Sequence, residues 1–181
     1  MRILTRDQIL KLLEEGLMRI EPFSESNLGE VTYDLRLANE FVMVEPHMTP
    51  IIDPEDPSTI KRVNINAKEV YIQPHAFVLG RSLEWIELPN DVLAMISGKS
   101  SLARLGIQVE TAYILHPGHK GYVVLEINNR NSVPIKLKYM MPIAQLIFFQ
   151  LDREVTPYFK IGTFGVQKSI KISTIKVNGR Y

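Results

Sequence analysis

Cysteine is absent from all 181 residues, which excludes disulfides and any zinc site built on thiolates. A domain of this length needs no such staple, because it can bury about 70% of the surface its unfolded chain exposes. An excess of one charge is also lacking. Twenty-one Lys and Arg face 20 Asp and Glu, for a formal net charge of +1 with no block of like charges. Little therefore draws the chain to bulk nucleic acid or to an anionic membrane, and any anion site must be local. No apolar run approaches the roughly 18 residues of a membrane span, and the N-terminus has no signal-peptide h-region. The expectation is a soluble, cytoplasmic protein without nucleic-acid or membrane partners.

Helical periodicity is scarce as well. Residues 5–16, TRDQILKLLEEG, carry the one convincing pattern. Thr5 and Gln8 form a capping box, Ile9, Leu10, Leu12 and Leu13 supply an apolar face, and Gly16 suits the C-terminal cap. Beyond Pro22 come short runs rich in Val, Ile, Phe and Tyr at 32–37, 40–45, 61–65, 69–73, 76–81, 92–97, 107–114, 121–128, 134–138 and 143–151. Pro, Gly, Asn and Asp separate them, which predicts an all-β fold. Residues 46–60 hold four of the eleven prolines and read as a surface loop. The expected organisation is a single domain over 1–181, with an N-terminal helix within 1–16 and a flexible tail from about 158 to 181.

Polar residues concentrate between the strands of 98–129. Gly98-Lys99-Ser100-Ser101-Leu102-Ala103-Arg104-Leu105-Gly106 packs two cations and two hydroxyls between glycines, which suits a loop that phosphates approach closely. In Gly121-Tyr122-Val123-Val124-Leu125-Glu126-Ile127-Asn128, alternation puts Val123, Leu125 and Ile127 on one face and Val124 and Glu126 on the other. Glu126 is then either a carboxylate on a wet strand face or a partly buried one. In the second case desolvation raises its pKa toward neutrality, as a proton shuttle needs.

Other residues leave alternatives open. Asp34 and Arg36 could pair along one strand face of Tyr33-Asp34-Leu35-Arg36-Leu37, a segment read as structural. His116-Pro117-Gly118-His119 is either a tight turn or two members of a metal set with no third ligand evident. Gln145, in an apolar strand, is a structural hydrogen-bonder or a base reader. Trp85 reads as core. The stretch 158–169 mixes glycines, aromatics and cations, fitting a lid or an ordinary frayed terminus.

Lys-Ser-Ser-Leu-Ala-Arg-Leu-Gly at 99–106, Thr-Ala followed by Pro-Gly within 111–118, Val-Leu-Glu at 124–126 and Ile-Ala-Gln-Leu at 143–146 together resemble the dCTP deaminase family of the dUTPase-like superfamily. The resemblance runs from the segment at 33–37 to about Gln167. It implies a distorted β jelly roll, the dUTPase-like β-clip, assembled as a homotrimer with sites between subunits. It also implies hydrolytic deamination of dCTP to dUTP and ammonia within pyrimidine deoxynucleotide metabolism.

Many cytosine deaminases activate water with zinc held by His and Cys, a route closed to a chain without cysteine. The family resemblance implies a zinc-free site in which Glu126 is the general acid/base. Ser100, Arg104 and the backbone around Ala112 group about the water and base edge. Lys99 and Ser101 serve the triphosphate, Val124 lies beside sugar and base, and Gln145, Tyr158 and Gln167 match nucleotide-binding positions. Magnesium accompanies the phosphates, and dUTP or dTTP are further candidate ligands. Plain dUTPases place a small apolar residue at position 126 and an aspartate at 116, so Glu126 and His116 both point to deamination. Most dCTP deaminases keep that aspartate too. Its replacement by His116, placed to bond a sugar hydroxyl, favours release of dUTP over onward hydrolysis to dUMP and pyrophosphate. The tail also departs from the family, with Thr163 where a lysine is expected and Lys160 as the substitute. A plain dUTPase and a catalytically idle nucleotide-binding module are the competing readings.

Overall fold

The computed structural model describes residues 1–110 and 112–171. In chain order the elements are β1 (Arg2–Ile3), α1 (Arg6–Glu14), β2 (Arg19–Glu21), β3 (Thr32–Val44), β4 (Arg62–Asn66), β5 (Glu69–Ile72), β6 (Phe77–Glu87), β7 (Val92–Gly98), α2 (Ser100–Ala103), β8 (Ile107–Glu110), β9 (Ile114–Leu115), β10 (Lys120–Asn129), β11 (Ile135–Lys138), β12 (Pro142–Gln150), α3 (Tyr158–Ile161) and β13 (Val166–Gln167). One sheet of eleven strands runs β13-β10-β6-β3-β12-β7-β9, with β1 on β12, β2 on β6, β4 on β3 and β8 on β10. The strands β5 and β11 pair separately. The chain is mostly β, with the expected N-terminal helix α1 and two further one-turn helices, α2 and α3. No helix among the described residues is long and apolar enough to cross a membrane.

The helix α1 forms as its sequence requires. Thr5 and Gln8 close the capping box, Ile9 is buried, and Gly16 takes a φ of 68° just past the end, a conformation that costs glycine little. The core fills from alternate positions of four strands: Tyr33, Leu35 and Leu37 of β3, Val78 and Ile86 of β6, Leu125 and Ile127 of β10, and Leu146 and Phe148 of β12.

Three strand expectations are corrected. The runs 32–37 and 40–45 are one strand, β3, carried through Ala38 and Asn39. The run 107–114 divides into β8 and β9 around Thr111, which lies outside the described residues. The run 76–81 extends through Trp85 to Glu87. That extension sets the phase against expectation, so that Ile86 and Glu84 are buried while Trp85 is half-exposed. Trp85 instead donates its indole N–H to Glu87 at 2.8 Å and meets the Tyr122 ring edge-on.

Glu84 is tolerated inside because its charge is answered. Its carboxylate accepts the Arg36 backbone N–H at 2.9 Å and the Arg36 Nε–H at 2.5 Å. Burial still pushes the Glu84 carboxyl upward, with the Arg36 bonds opposing. Arg36 therefore belongs to Glu84, not to Asp34, whose partner is the Lys99 ammonium at 2.5 Å.

The turn expected at His116–His119 is present: the His119 N–H bonds the His116 carbonyl at 3.0 Å and Gly118 takes a φ of 71°. His119 is only 6% exposed. A carbonyl oxygen can only accept, so in the 3.3 Å contact between His119 Nε2 and the Gly121 oxygen the proton of a neutral ring is on Nε2. Burial lowers its pKa to about 4.

The tail meets this turn through the Tyr158 N–H, which bonds the Pro117 carbonyl at 2.9 Å, and runs as α3 and then β13, parallel to β10 with Gly121 opposite Gln167. Of the segment expected as a flexible tail, Val166 and Gln167 pair with β10, and residues 172–181 lie outside the described residues. Gly121 has a φ of 141°, and a Cβ there would stand 2.6 Å from the Gln167 Cβ and 2.7 Å from its nitrogen.

Two stability experiments follow from these contacts. Gly121→Ala should destabilise by about 1–3 kcal/mol through overpacking, and limited proteolysis should show earlier cleavage within 158–171. For His119, the unfolded chain takes up a proton near pH 6.5 whereas the folded chain resists until about pH 4. Stability is thus fully present above pH 6.5 and falls as pH drops through that window, by up to about 3 kcal/mol. Denaturant titrations across this range should show a shallower decline for His119→Gln.

Candidate active site

A cavity of about 430 Å³ opens between β10, β6, the β7–β9 edge and the tail. Its wall is built by strand alternation. Tyr122, Val124 and Glu126 project from the outward face of β10, and Phe77 and Leu79 from the adjoining face of β6. Glu126 stands opposite Leu79 in the ladder, and Val124 opposite Arg81. Ile96, Ala112, Tyr113, Ile114, Leu115 and His116 line the side formed by β7 and β9, while Tyr158, Phe164, Gln167 and Lys171 come from the tail.

Six of the residues expected to bind substrate are therefore brought together: Ala112, His116, Val124, Glu126, Tyr158 and Gln167. Glu126 is half-buried and is the one carboxylate among the described lining residues. It is neither on a fully wet face nor in the core, which separates the two alternatives its strand pattern left open. The His116 ring stacks on Tyr158 with centroids 5.2 Å apart and planes 14° from parallel. Gln167 is 6% exposed, held by its pairing with Gly121 and by an amide bond to the Ser169 carbonyl. Glycines make this closeness of tail and sheet possible: a Cβ on Gly118 would strike Pro157, and one on Gly162 the Tyr158 ring.

Lys99, Ser100, Ser101, Arg104 and Gln145 do not line this cavity. Alternation explains the displacement of Gln145. Ile96 lines the cavity, its neighbour Ser97 faces the other side of β7, and Gln145 lies opposite Ser97. The segment 98–106 is also not the open phosphate loop that its composition suggests. Ser100–Ala103 close one helical turn, and the amides of 102–106 bond within the segment to carbonyls of 99–103. The side chains of Ser100, Ser101 and Arg104 are exposed, and Lys99 is held by Asp34.

The two nearby histidines take different partners, Tyr158 for His116 and the Gly121 carbonyl for His119. Among the described residues no group of three or more His, Asp or Glu is placed to share a metal ion.

Sequence reasoning missed Phe77, Leu79, Tyr113, Phe164 and Lys171 as lining residues. The signal for Leu79 lay in cross-strand register with Glu126, which a single sequence does not display. Lys171 sits in an Ile/Lys alternation that carries no chemical pattern of its own.

A family model described as dCTP deaminase-like matches residues 3–151. A protein of Methanoculleus marisnigri named dCTP deaminase, dUMP-forming, is 39% identical over 159 residues, spanning 86% of this chain and 84% of that one. One of the same name from Sulfurihydrogenibium is 39% identical over 160 residues, spanning 86% and 88%. The crystal structure of 2′-deoxycytidine 5′-triphosphate deaminase from Agrobacterium tumefaciens superposes with a TM-score of 0.63 at 22% identity. It covers 81% of this chain, which spans about half (47%) of that longer one, and at this identity it speaks to the fold alone. With the family model matched over most of its length and relatives aligned across more than four fifths of both chains, the chain belongs to the dCTP deaminase-like family.

Proposed function

We propose that this chain is a cytoplasmic enzyme that hydrolyses the C4 amino group of dCTP and carries the resulting dUTP on to dUMP and pyrophosphate. The observation that carries the deaminase reading is the place of Glu126, a half-buried carboxylate on the wall of a largely apolar cavity. The second step rests on the dUMP-forming names of the relatives. It replaces the release of dUTP that His116 favours on sequence grounds.

In this reading Glu126 takes a proton from water as the oxygen adds to C4. It passes that proton to N3, then carries the remaining hydroxyl proton of the tetrahedral centre to the amino group, so that collapse forms the C4 carbonyl and expels ammonia. A general acid/base must sit where both water and the base can reach it, and a half-buried position on the cavity wall allows that. Ser100 and Arg104 orient the water and stabilise charge at C4, Lys99 and Ser101 bind phosphate, and Gln145 reads the nucleotide.

These five lie outside the cavity of their own chain, so the proposal assigns them to the neighbouring copy in a homotrimer of jelly-roll subunits. An apolar patch with Met95 and Ile114, both more than 40% exposed and paired across β7 and β9, supports such an assembly. Magnesium in this reading arrives on the oxygens of the triphosphate.

Purified protein should convert dCTP to dUMP with ammonia and pyrophosphate, separated by ion-exchange chromatography. Accumulation of dUTP would restrict the activity to deamination, while turnover of dUTP alone would make the chain a dUTPase. Binding without turnover of either nucleotide would leave a regulatory module. Glu126→Gln should lower dCTP turnover by about a thousandfold or more with nucleotide binding retained; unchanged deamination would remove Glu126 from the mechanism. Co-expression of Glu126→Gln with Arg104→Ala, each inactive alone, should restore about a quarter of wild-type activity if each site draws Glu126 and Arg104 from different copies. No restoration would place both in one chain.

A further inference from the structure

The ladders on both sides of β6 break register at adjoining positions, residues 82–84 on the β10 side and Arg81 on the β3 side. Against β10, Tyr122 pairs with Trp85, but Val124 already pairs with Arg81, so Ser82, Leu83 and Glu84 face Val123 alone. Against β3, the register shifts between Leu37, opposite Ser82, and Phe41, opposite Gly80. A bulge leaves ladder groups without backbone partners, and here buried side chains take their place. Ser82 Oγ accepts the Val123 N–H at 2.8 Å and donates its own proton to the Glu84 carbonyl at 2.7 Å. On the other side the Glu84 carboxylate accepts the Arg36 N–H. Ser82 and Glu84 are both 0% exposed.

The register break decides what faces Glu126. Continuing from the Tyr122–Trp85 pair without interruption, each step forward on β10 is one step back on β6, so four steps would bring Glu126 opposite Arg81. The observed partner on β6 is Leu79, two residues further on, while across the other edge of β10 the residue opposite Glu126 is Glu110 of β8. Arg81 instead stands opposite Val124, with its guanidinium 3.9 Å above the centre of the Tyr122 ring and bonded to Glu40 and to the Ser82 carbonyl. A two-residue shift preserves the face on which each side chain lies. It therefore changes the neighbour of Glu126 without removing it from the cavity.

We infer that Ser82 is a positioning residue for Glu126: its hydroxyl pins the bulge that holds the carboxylate against Leu79 and one position away from the arginine. Ser82 touches no substrate. It acts through the Val123 amide, which is three residues from Glu126, with the Val124 wall between them. The functional consequence rests on the proposed acid/base role of Glu126, whereas the pinning itself does not.

The test compares Ser82→Ala, Ser82→Cys and Ser82→Thr by steady-state kinetics with dCTP and by amide hydrogen exchange at Val123. Threonine keeps the hydroxyl acceptor. Cysteine keeps the approximate volume but accepts weakly. In Ser82→Ala and Ser82→Cys, Val123 exchange should accelerate and kcat should fall about tenfold with KM changed less than twofold. The acid limb of the kcat profile should move to lower pH as Glu126 gains access to Arg81. Ser82→Thr should restore all three. Wild-type kcat and pH profile in Ser82→Cys, or a loss of thermal stability alone, would overturn the positioning role. If wild-type protein fails to turn over dCTP, the proposed function falls, and unchanged Val123 exchange in Ser82→Ala would independently refute the pinning.

Discussion

The buried Arg36–Glu84 pair is the constraint on which the sheet depends. An isolated carboxylate at 0% exposure would be strongly destabilising. This one is retained because β3 presents both a guanidinium and a backbone N–H to it. Such a pair gains little net stability over a well-packed apolar substitute, but losing one partner strands the other. The pair therefore works less as glue than as a specification, since β3 and β6 satisfy it in one relative register. From β6 the constraint passes through Ser82 to β10, and from Gly121 of β10 to the tail strand. Each wall of the cavity that carries a titratable side chain is tied, directly or through one strand, to this seam or to the β7–β9 edge.

What was legible in the sequence followed local rules. The capping box and leucine face of α1 specify a helix without reference to anything distant. The alternation around Val123–Ile127 placed Glu126 on the opposite face from the core. What was not legible depended on partners. Trp85 reads as core until Arg36 is known to lie across from a buried Glu84. Asp34 and Arg36 share a strand face, yet each takes a partner more than forty residues away, Lys99 and Glu84. Composition made 98–106 look like an open anion loop, whereas a helical turn uses most of its amides internally. In each case side-chain chemistry was read correctly and its neighbour was not, because β-sheet neighbours are set by long-range register.

The candidate site shows the same division. Among the described lining residues the formal charges are Glu126 and Lys171, and the histidine deepest in the wall is held neutral by burial. A nucleoside triphosphate brings several negative charges to such a cavity. The favourable groups nearest in sequence, Lys99, Ser100, Ser101 and Arg104, belong to another part of this chain's surface. Lys99, moreover, is partly neutralised by Asp34.

That separation gives physical meaning to the proposed assembly. A half-buried carboxylate meant to exchange protons near neutral pH is poorly served by a fixed cation beside it, because an adjacent arginine or lysine holds a carboxyl ionised. Phosphate binding asks for those same cations. Placing the acid/base on one wall and the cations on another element lets both demands be met, and the displaced β6–β10 register serves the same end by putting Leu79 where Arg81 would otherwise stand. On the proposed reading, neighbouring copies bring the two halves together at a distance set by the subunit interface, so that the triphosphate is neutralised at one end of the nucleotide while the proton chemistry at the other end stays apart from the phosphate-binding cations.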